Sequence, residues 1–201
     1  MVANPTTTYT VEEYLTFERA SETKHEYYAG EIVAMAGASY EHNLIAMTTG
    51  TSLSVQLRGR ACAVLPSDQR LRVGPFGSLT YPDLMVVCGQ PQFTDERPDT
   101  VTNPTVIIEI LSPSLSTSTE GDDRGRKTKH YRTLESLREY VLIAQDECHV
   151  EHYVRAEHGW WHFNEATDRT ATIQLSSIGC TLALADVYER VDFTAPAKGR
   201  Q

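Results

Sequence analysis

Positive charge is scarce in this chain of 201 residues: 18 Lys and Arg stand against 27 Asp and Glu, a formal net charge of −9. A molecule of that sign repels polyanions as a whole, so contact with nucleic acid needs basic residues concentrated locally, and a DNA-coating role is disfavoured. A nuclease remains open, because carboxylates that hold divalent cations make a site acidic and the bound metal reverses the local field. Cysteine is also sparse. Cys62, Cys88, Cys148 and Cys180 form no Cys-x-x-Cys pair and have no histidine at a repeating ligand spacing, which argues against structural zinc. Residues 1–20 lack a basic start and an apolar core segment, and no apolar run nears the roughly 18 residues of a membrane span. The expectation is a cytoplasmic protein with reduced thiols. A glycine-rich phosphate loop, a Gly-x-Ser-x-Gly elbow, internal repeats and low-complexity linkers are all missing.

What is present is an ordinary globular composition, 40% hydrophobic and 22% charged. A chain of this length buries a core without staples, so one domain is expected over 1–201, with its core at 8–193 and a frayed tail at 194–201. The spacing of Thr10 and Glu13 predicts a capped helix near 10–20, and Ala29-Gly30 a hairpin turn within 24–36. A longer helix is predicted from Ser39 to about Leu57, closed by Arg58-Gly59-Arg60. The period then changes: 61–65, 69–73, 81–88 and 105–111 read as strands. A polar loop over 112–125 leads into a second long helix from Asp123 to about Leu134. Strands follow at 138–144, 148–156 and 160–163, the strand pattern continues over 171–184, and a short helical turn is expected at 186–191. The fold class is α/β, a central mixed sheet flanked by helices.

Two carboxylates interrupt apolar strands. Val106-Ile-Ile-Glu-Ile-Leu111 reads as a strand buried on both faces, yet Glu109 sits in its middle. An unpaired ionised carboxylate there costs several kcal/mol, so Glu109 needs a basic partner, a metal or a raised pKa. Asp83 likewise enters the apolar run Tyr81-Pro-Asp-Leu-Met-Val-Val87. Singly, Asp83 reads as a turn cap and Glu109 as half of a salt bridge; together they form the carboxylate pair with which magnesium is commonly held. Asp68, after Pro66-Ser67, is a third candidate metal ligand that also suits a loop cap. Phosphodiester cleavage profits from a cation that positions water. In the predicted second helix Lys127, Tyr131 and Leu134 share the inward face while Lys129 faces solvent. Lys127 is therefore either that cation or a snorkelling lysine paired with Asp123.

Tyr81-Pro82-Asp83, Glu109-Ile-Leu-Ser-Pro-Ser114, Asp123-Arg-Gly-Arg-Lys127 and Leu137-Arg-Glu-Tyr-Val-Leu142, taken in order, resemble the Uma-type family of putative restriction endonucleases. So does the early segment Gly30-Glu-Ile-Val-Ala-Met-Ala-Gly-Ala-Ser39 with His42, and the likeness spans roughly 8–193. The resemblance implies a restriction-endonuclease-like core of the PD-(D/E)XK superfamily. It further implies Asp83 and Glu109 around Mg2+ (or Mn2+), a nucleic-acid substrate (DNA foremost), and a homodimer. The superfamily's lysine, two residues after the glutamate, is here Leu111, and the family implies that the following helix supplies the cation, which agrees with the face argument for Lys127. Glu31 and His42 match the pattern as accessory residues, although an exposed strand charge and a first-turn helix side chain describe them equally.

Rival readings start from the same residues. Leu111 and the charge of −9 suit a catalytically inactive nuclease-fold module that binds nucleic acid or a protein partner. A purely structural homodimer would instead neutralise Glu109 with an arginine such as Arg70 or Arg72. Arg58, Arg60, Arg70, Arg72, Arg124 and Arg126 either line a phosphate path or form a solvated surface. His149 and His152 point to opposite faces of a strand and are not expected to share an ion, and Ser112 and Ser114 read as loop residues. Tyr153, Trp160, Trp161 and Phe163 are expected to pack a terminal sheet.

Overall fold

A computed structural model describes residues 8–74, 77–112, 125 and 127–194. Helix α1 (Val11–Glu18) starts as its sequence predicts, with Thr10 accepting from the Glu13 N–H and the Glu13 carboxylate accepting from the Thr10 N–H. Strands β1 (His25–Tyr28) and β2 (Glu31–Ala34) form the predicted hairpin, whose two turn residues, Ala29 and Gly30, both have positive φ (48° and 97°). Helix α2 (Tyr40–Gln56) is capped by Ser39.

Strands β3 (Cys62–Pro66), β4 (Arg70–Val73), β5 (Ser78–Thr80), β6 (Leu84–Cys88), β7 (Thr100–Val101) and β8 (Val106–Leu111) follow. After the short helix α3 (Thr128–Tyr131) come β9 (Glu139–Ala144), β10 (Val150–Arg155), β11 (Trp161–Ala166), the hairpin β12 (Thr172–Leu175) and β13 (Cys180–Ala183), and a helical turn α4 (Leu184–Val187). The strands form a six-stranded sheet of order β11-β10-β9-β8-β6-β3, a five-stranded sheet of order β2-β1-β5-β4-β7, and the β12-β13 pair. Both larger sheets are mixed: β8-β9 and β4-β7 run parallel and their other ladders antiparallel. The expected mixed sheet is thus the six-stranded one, and a second sheet stands beside it.

Strand β8 lies near the middle of the larger sheet, and all six of its residues are buried because both faces are covered. Val106, Ile108 and Ile110 pack with Ile45 and Leu53 of α2 and with Ile173 and Leu182 of the β12-β13 hairpin. Ile107 and Leu111 belong to the opposite core, with Met85, Val87, Tyr131, Leu134 and Tyr140. Glu109, two residues from each, shares that second face.

Four expectations need correction. The predicted second long helix stops earlier than expected: its α-helical part among the described residues is Thr128–Tyr131, preceded by π-helical Gly125 and Lys127, and Thr133 and Leu134 then close turns onto His130 and Tyr131; Asp123 lies outside the described residues. The terminal helical turn comes earlier than predicted, at Leu184–Val187. The four thiols are not all reduced: the β3-β6 register sets Cys62 opposite Cys88, and a disulfide joins them, leaving Cys148 and Cys180 free. Finally, the aromatics in and just before β11 are not uniformly packed, since Trp160 is 75% and Phe163 51% exposed. The 194–201 tail lies outside the described residues beyond Thr194. Among the described residues no helix is long and apolar enough to cross a membrane.

Candidate active site

The antiparallel ladder between β6 and β8 pairs Leu84 with Ile108, which brings the residue before β6, Asp83, level with Glu109. Hydrogen bonds lock the two together through the backbone: Asp83 Oδ2 accepts from the Ile110 N–H at 2.7 Å, and Glu109 Oε2 accepts from the Asp83 N–H at 3.4 Å. Proline at position 82 has no N–H to lose, so the chain enters β6 there without breaking the ladder. Glu109 is almost wholly buried, with its side chain 3% exposed, while the Asp83 side chain is 18% exposed.

Three further elements complete the environment. Tyr131, at the end of α3, donates its hydroxyl to Glu109 Oε1 at 2.7 Å and meets the Thr80 hydroxyl at 3.1 Å. Burial, and then the adjacent Glu109 charge, push the Tyr131 phenol well above its ordinary pKa, so it stays a donor. Lys127 Nζ stands 3.5 Å from Glu109 Oε1 and 3.3 Å from Oε1 of Glu26, on β1. Glu26 also accepts from the Tyr28 hydroxyl at 3.0 Å and from the Tyr81 N–H at 3.5 Å. From the first turn of α2, His42 directs Nε2 to Asp83 Oδ1 at 3.3 Å, while its buried Nδ1 has no hydrogen-bond partner among the described residues.

The structure therefore brings Asp83, Glu109, Lys127 and His42 together. It does not bring in Asp68, whose side chain is 82% exposed and paired with Lys24, or Glu31, which is exposed on the edge strand β2. Glu26 takes the place expected of Glu31. Nothing in His25-Glu-Tyr-Tyr28 marks it, because only the docking of β1 on β5 carries it towards β8. Arg70, one of the arginines expected as a neutralising partner, is buried against Asp99, Thr100 and Tyr81, and Glu109 is met by Lys127. His149 and His152 engage separate carboxylates, Glu165 and the buried Glu139. Arg124, Arg126 and Ser114 lie outside the described residues.

Chemically, three carboxylates, one ammonium and one imidazole meet in a largely buried cluster. Such an anionic set attracts a cation. Among the described residues no group of three or more His, Cys, Asp or Glu is arranged to hold a metal ion. An open pair of carboxylates is nonetheless what magnesium uses, since it keeps several waters.

Comparison with known proteins places these residues in context. Residues 11–185 match the family model Uma2, described as "Putative restriction endonuclease". Two proteins of Synechocystis sp. are similar: sll1609 is 38% identical over 176 residues, covering 88% of this chain and 97% of that protein. The other, slr1290, is 33% identical over 186 residues, covering 90% and 92%. The fold is similar to a crystal structure of a putative nuclease belonging to DUF820 from Anabaena variabilis, with a TM-score of 0.68 and 20% identity over 90% of this chain and 97% of that one.

Proposed function

The chain belongs to the Uma2 family, described as putative restriction endonucleases, and from that premise we propose that it is a metal-dependent endonuclease that hydrolyses phosphodiester bonds of DNA. The observation that carries this reading is the meeting of Asp83 and Glu109 from adjacent strands with Lys127 beside Glu109, although the strand's own lysine position is the buried Leu111. In the reading, Asp83 and Glu109 hold Mg2+ (Mn2+ as substitute), which supplies a polarised water and offsets charge at the scissile phosphate. The donor set fits: both are oxygen ligands, two carboxylates suffice, and the buried His42 Nδ1, without a hydrogen-bond partner among the described residues, leaves hydrogen-bonding capacity beside them.

The chain's own residues then have distinct tasks. Lys127 orients the attacking water and balances negative charge gathering on the phosphate. Tyr131 fixes the Glu109 carboxylate through Oε1, and the Ile110 N–H fixes Asp83 through Oδ2, so both ligands are held before substrate arrives. His42 steadies the second oxygen of Asp83. Glu26 holds Lys127 from the far side. The proposal includes one cytoplasmic domain over 1–201 acting as a homodimer, two sites being suited to cutting two strands.

The test is nicking of supercoiled plasmid by purified protein with magnesium, manganese or EDTA, beside Glu109→Ala prepared identically. Metal-dependent nicking that the variant loses is expected. A folded wild type that nicks with neither metal would overturn the reading in favour of the inactive binding module.

A further inference from the structure

The nuclease reading leaves one buried polar residue without a task. Gln145 directly follows β9 and is 4% exposed. A side-chain amide is costly to bury without partners, so where its hydrogen bonds go is informative. Its backbone N–H donates to the Leu111 carbonyl at 3.3 Å, one step beyond the last pair of the parallel β8-β9 ladder, Leu111 with Ala144. Its side-chain Oε1 accepts from the Ser39 hydroxyl at 2.7 Å, across 106 positions of sequence. Gln145 is thereby fixed to the end of the strand that carries Glu109, and from there it reaches the amino-terminal end of α2.

Ser39 passes this hold on to the site. Its Oγ accepts from the His42 N–H at 3.1 Å as the cap of α2, and His42 points Nε2 at Asp83 Oδ1, 3.3 Å away. The circuit closes on β8, because Asp83 Oδ2 accepts from the Ile110 N–H and the Asp83 N–H donates to Glu109 Oε2. The Ser39 hydroxyl thus does two things at once: its oxygen caps the helix, and its proton ties that cap to the larger sheet. The entry to α2 has little else to fix it. Ala36, Gly37 and Ala38 are exposed, Tyr40 is 70% exposed, and the buried residues of the helix begin only at Ile45. His42 lies between that loosely packed entry and the first buried turn.

We propose that Gln145 is a positioning residue for the candidate site, acting on Asp83 through Ser39 and His42. The inference rests on the nuclease reading for what Asp83 does, and on the hydrogen bonds alone for how Asp83 is held. Partners behind a metal ligand fix its orientation, and losing one typically costs about 10–100-fold in metal affinity or activity. Gln145 acts through two intermediaries, so the lower end, about tenfold, is expected. Its effect falls on the oxygen of Asp83 that faces His42, since the other is held by the Ile110 N–H independently of α2.

Gln145→Met keeps the side chain's length, the backbone bond to Leu111 and the Ser39 cap, and deletes only the acceptor; Gln145→Glu restores an acceptor. In EDTA, two-bond 1H–15N correlation spectra report the ring nitrogens of the seven histidines, with His42 identified by its loss in His42→Gln. Gln145→Met should move the His42 signals and leave those of His158 and His162 in place, and Gln145→Glu should bring them back. In nicking assays Gln145→Met should raise the magnesium concentration at half-maximal rate about tenfold while the KM for plasmid stays put, a split that lowered stability alone does not produce. Identical His42 signals in wild type and Gln145→Met overturn the proposal. So does a moved spectrum with an unchanged magnesium requirement, which would confine Gln145 to bracing α2. If Gln145→Met does not fold, Ser39→Ala, with Ser39→Thr as its restoring counterpart, provides the same comparison. A folded wild type that never nicks defeats the nuclease reading alone, because the spectra taken in EDTA still show whether Gln145 governs His42.

Discussion

Replacing Lys127 by methionine keeps most of the side chain's length and apolar stem while deleting the charge that faces two carboxylates. Its Nζ is 3.5 Å from Glu109 Oε1, and the two side chains are only 14% and 3% exposed. At an effective dielectric of about 20 such charges attract by about 5 kcal/mol, from which desolvation subtracts a large part. Breaking a buried pair by removing one partner typically costs about 3–5 kcal/mol, and partial exposure of Lys127 puts the expected loss near the lower end, about 3 kcal/mol. Activity alone cannot separate charge pairing from chemistry, since Lys127→Met and Glu109→Gln are both expected to abolish nicking. Urea unfolding of the two single variants and the double variant, in EDTA, does separate them. The expected coupling is about 1.5–3 kcal/mol, with the double variant more stable than the sum of the two losses predicts. A coupling below about 0.5 kcal/mol would refute the electrostatic account of why Lys127 is buried beside Glu109.

Magnesium at about ten times its dissociation constant should stabilise the protein by about 1.4 kcal/mol, visible as a raised melting temperature that Asp83→Asn and Glu109→Gln both lose. Burial alone would raise the Asp99 pKa, but hydrogen bonds from Arg19 and Thr100 and the charge of Arg70 bring it down to about 2. A folded pKa below the unfolded one contributes stability above about pH 4 and loses it as pH falls towards 2. Because the Asp99 side chain is 34% exposed, solvent screening reduces the expected cost of Asp99→Asn to about 1 kcal/mol at pH 7, and denaturation at pH 2 should find the difference gone. Cys62→Ser with Cys88→Ser opens a covalent loop whose ends are separated by 26 residues, which should cost about 3 kcal/mol in oxidising buffer and little in dithiothreitol. An equal cost in both buffers would assign the loss to packing instead of the cross-link.

The carboxylates were legible because each violates its surroundings: a charge inside Val-Ile-Ile-x-Ile-Leu has few explanations, and the structure pairs Glu109 with Asp83 by the register of β6 on β8. Lys127 was legible from the inward face it shares with Tyr131, even though the α-helical part of that segment, among the described residues, ends at Tyr131 and not at Leu134. Glu26 was not legible. It lies in a short polar strand, four residues of which only two are buried, and Glu31 at the start of the next strand looked at least as suitable. What distinguishes them is tertiary: β1 is sandwiched between β2 and β5, whereas β2 is an edge. The same holds for Cys62 and Cys88, whose pairing depends on a strand register spanning 26 positions. The division of strands into two sheets was equally hidden, since it depends on which neighbours each strand finds in the folded chain.

The candidate site draws Glu26 from one sheet, Asp83 and Glu109 from the other, His42 from α2, and Lys127 and Tyr131 from the segment around α3. Glu109 itself is seated on a strand whose parallel partner, β9, ends only at Ala144. During synthesis, therefore, no amino-terminal portion emerging from the ribosome holds the whole candidate site on its finished sheet until Ala144 has been made. On the proposed reading the nascent chain is inert, and nucleic acid would meet a working site only once that scaffold has closed.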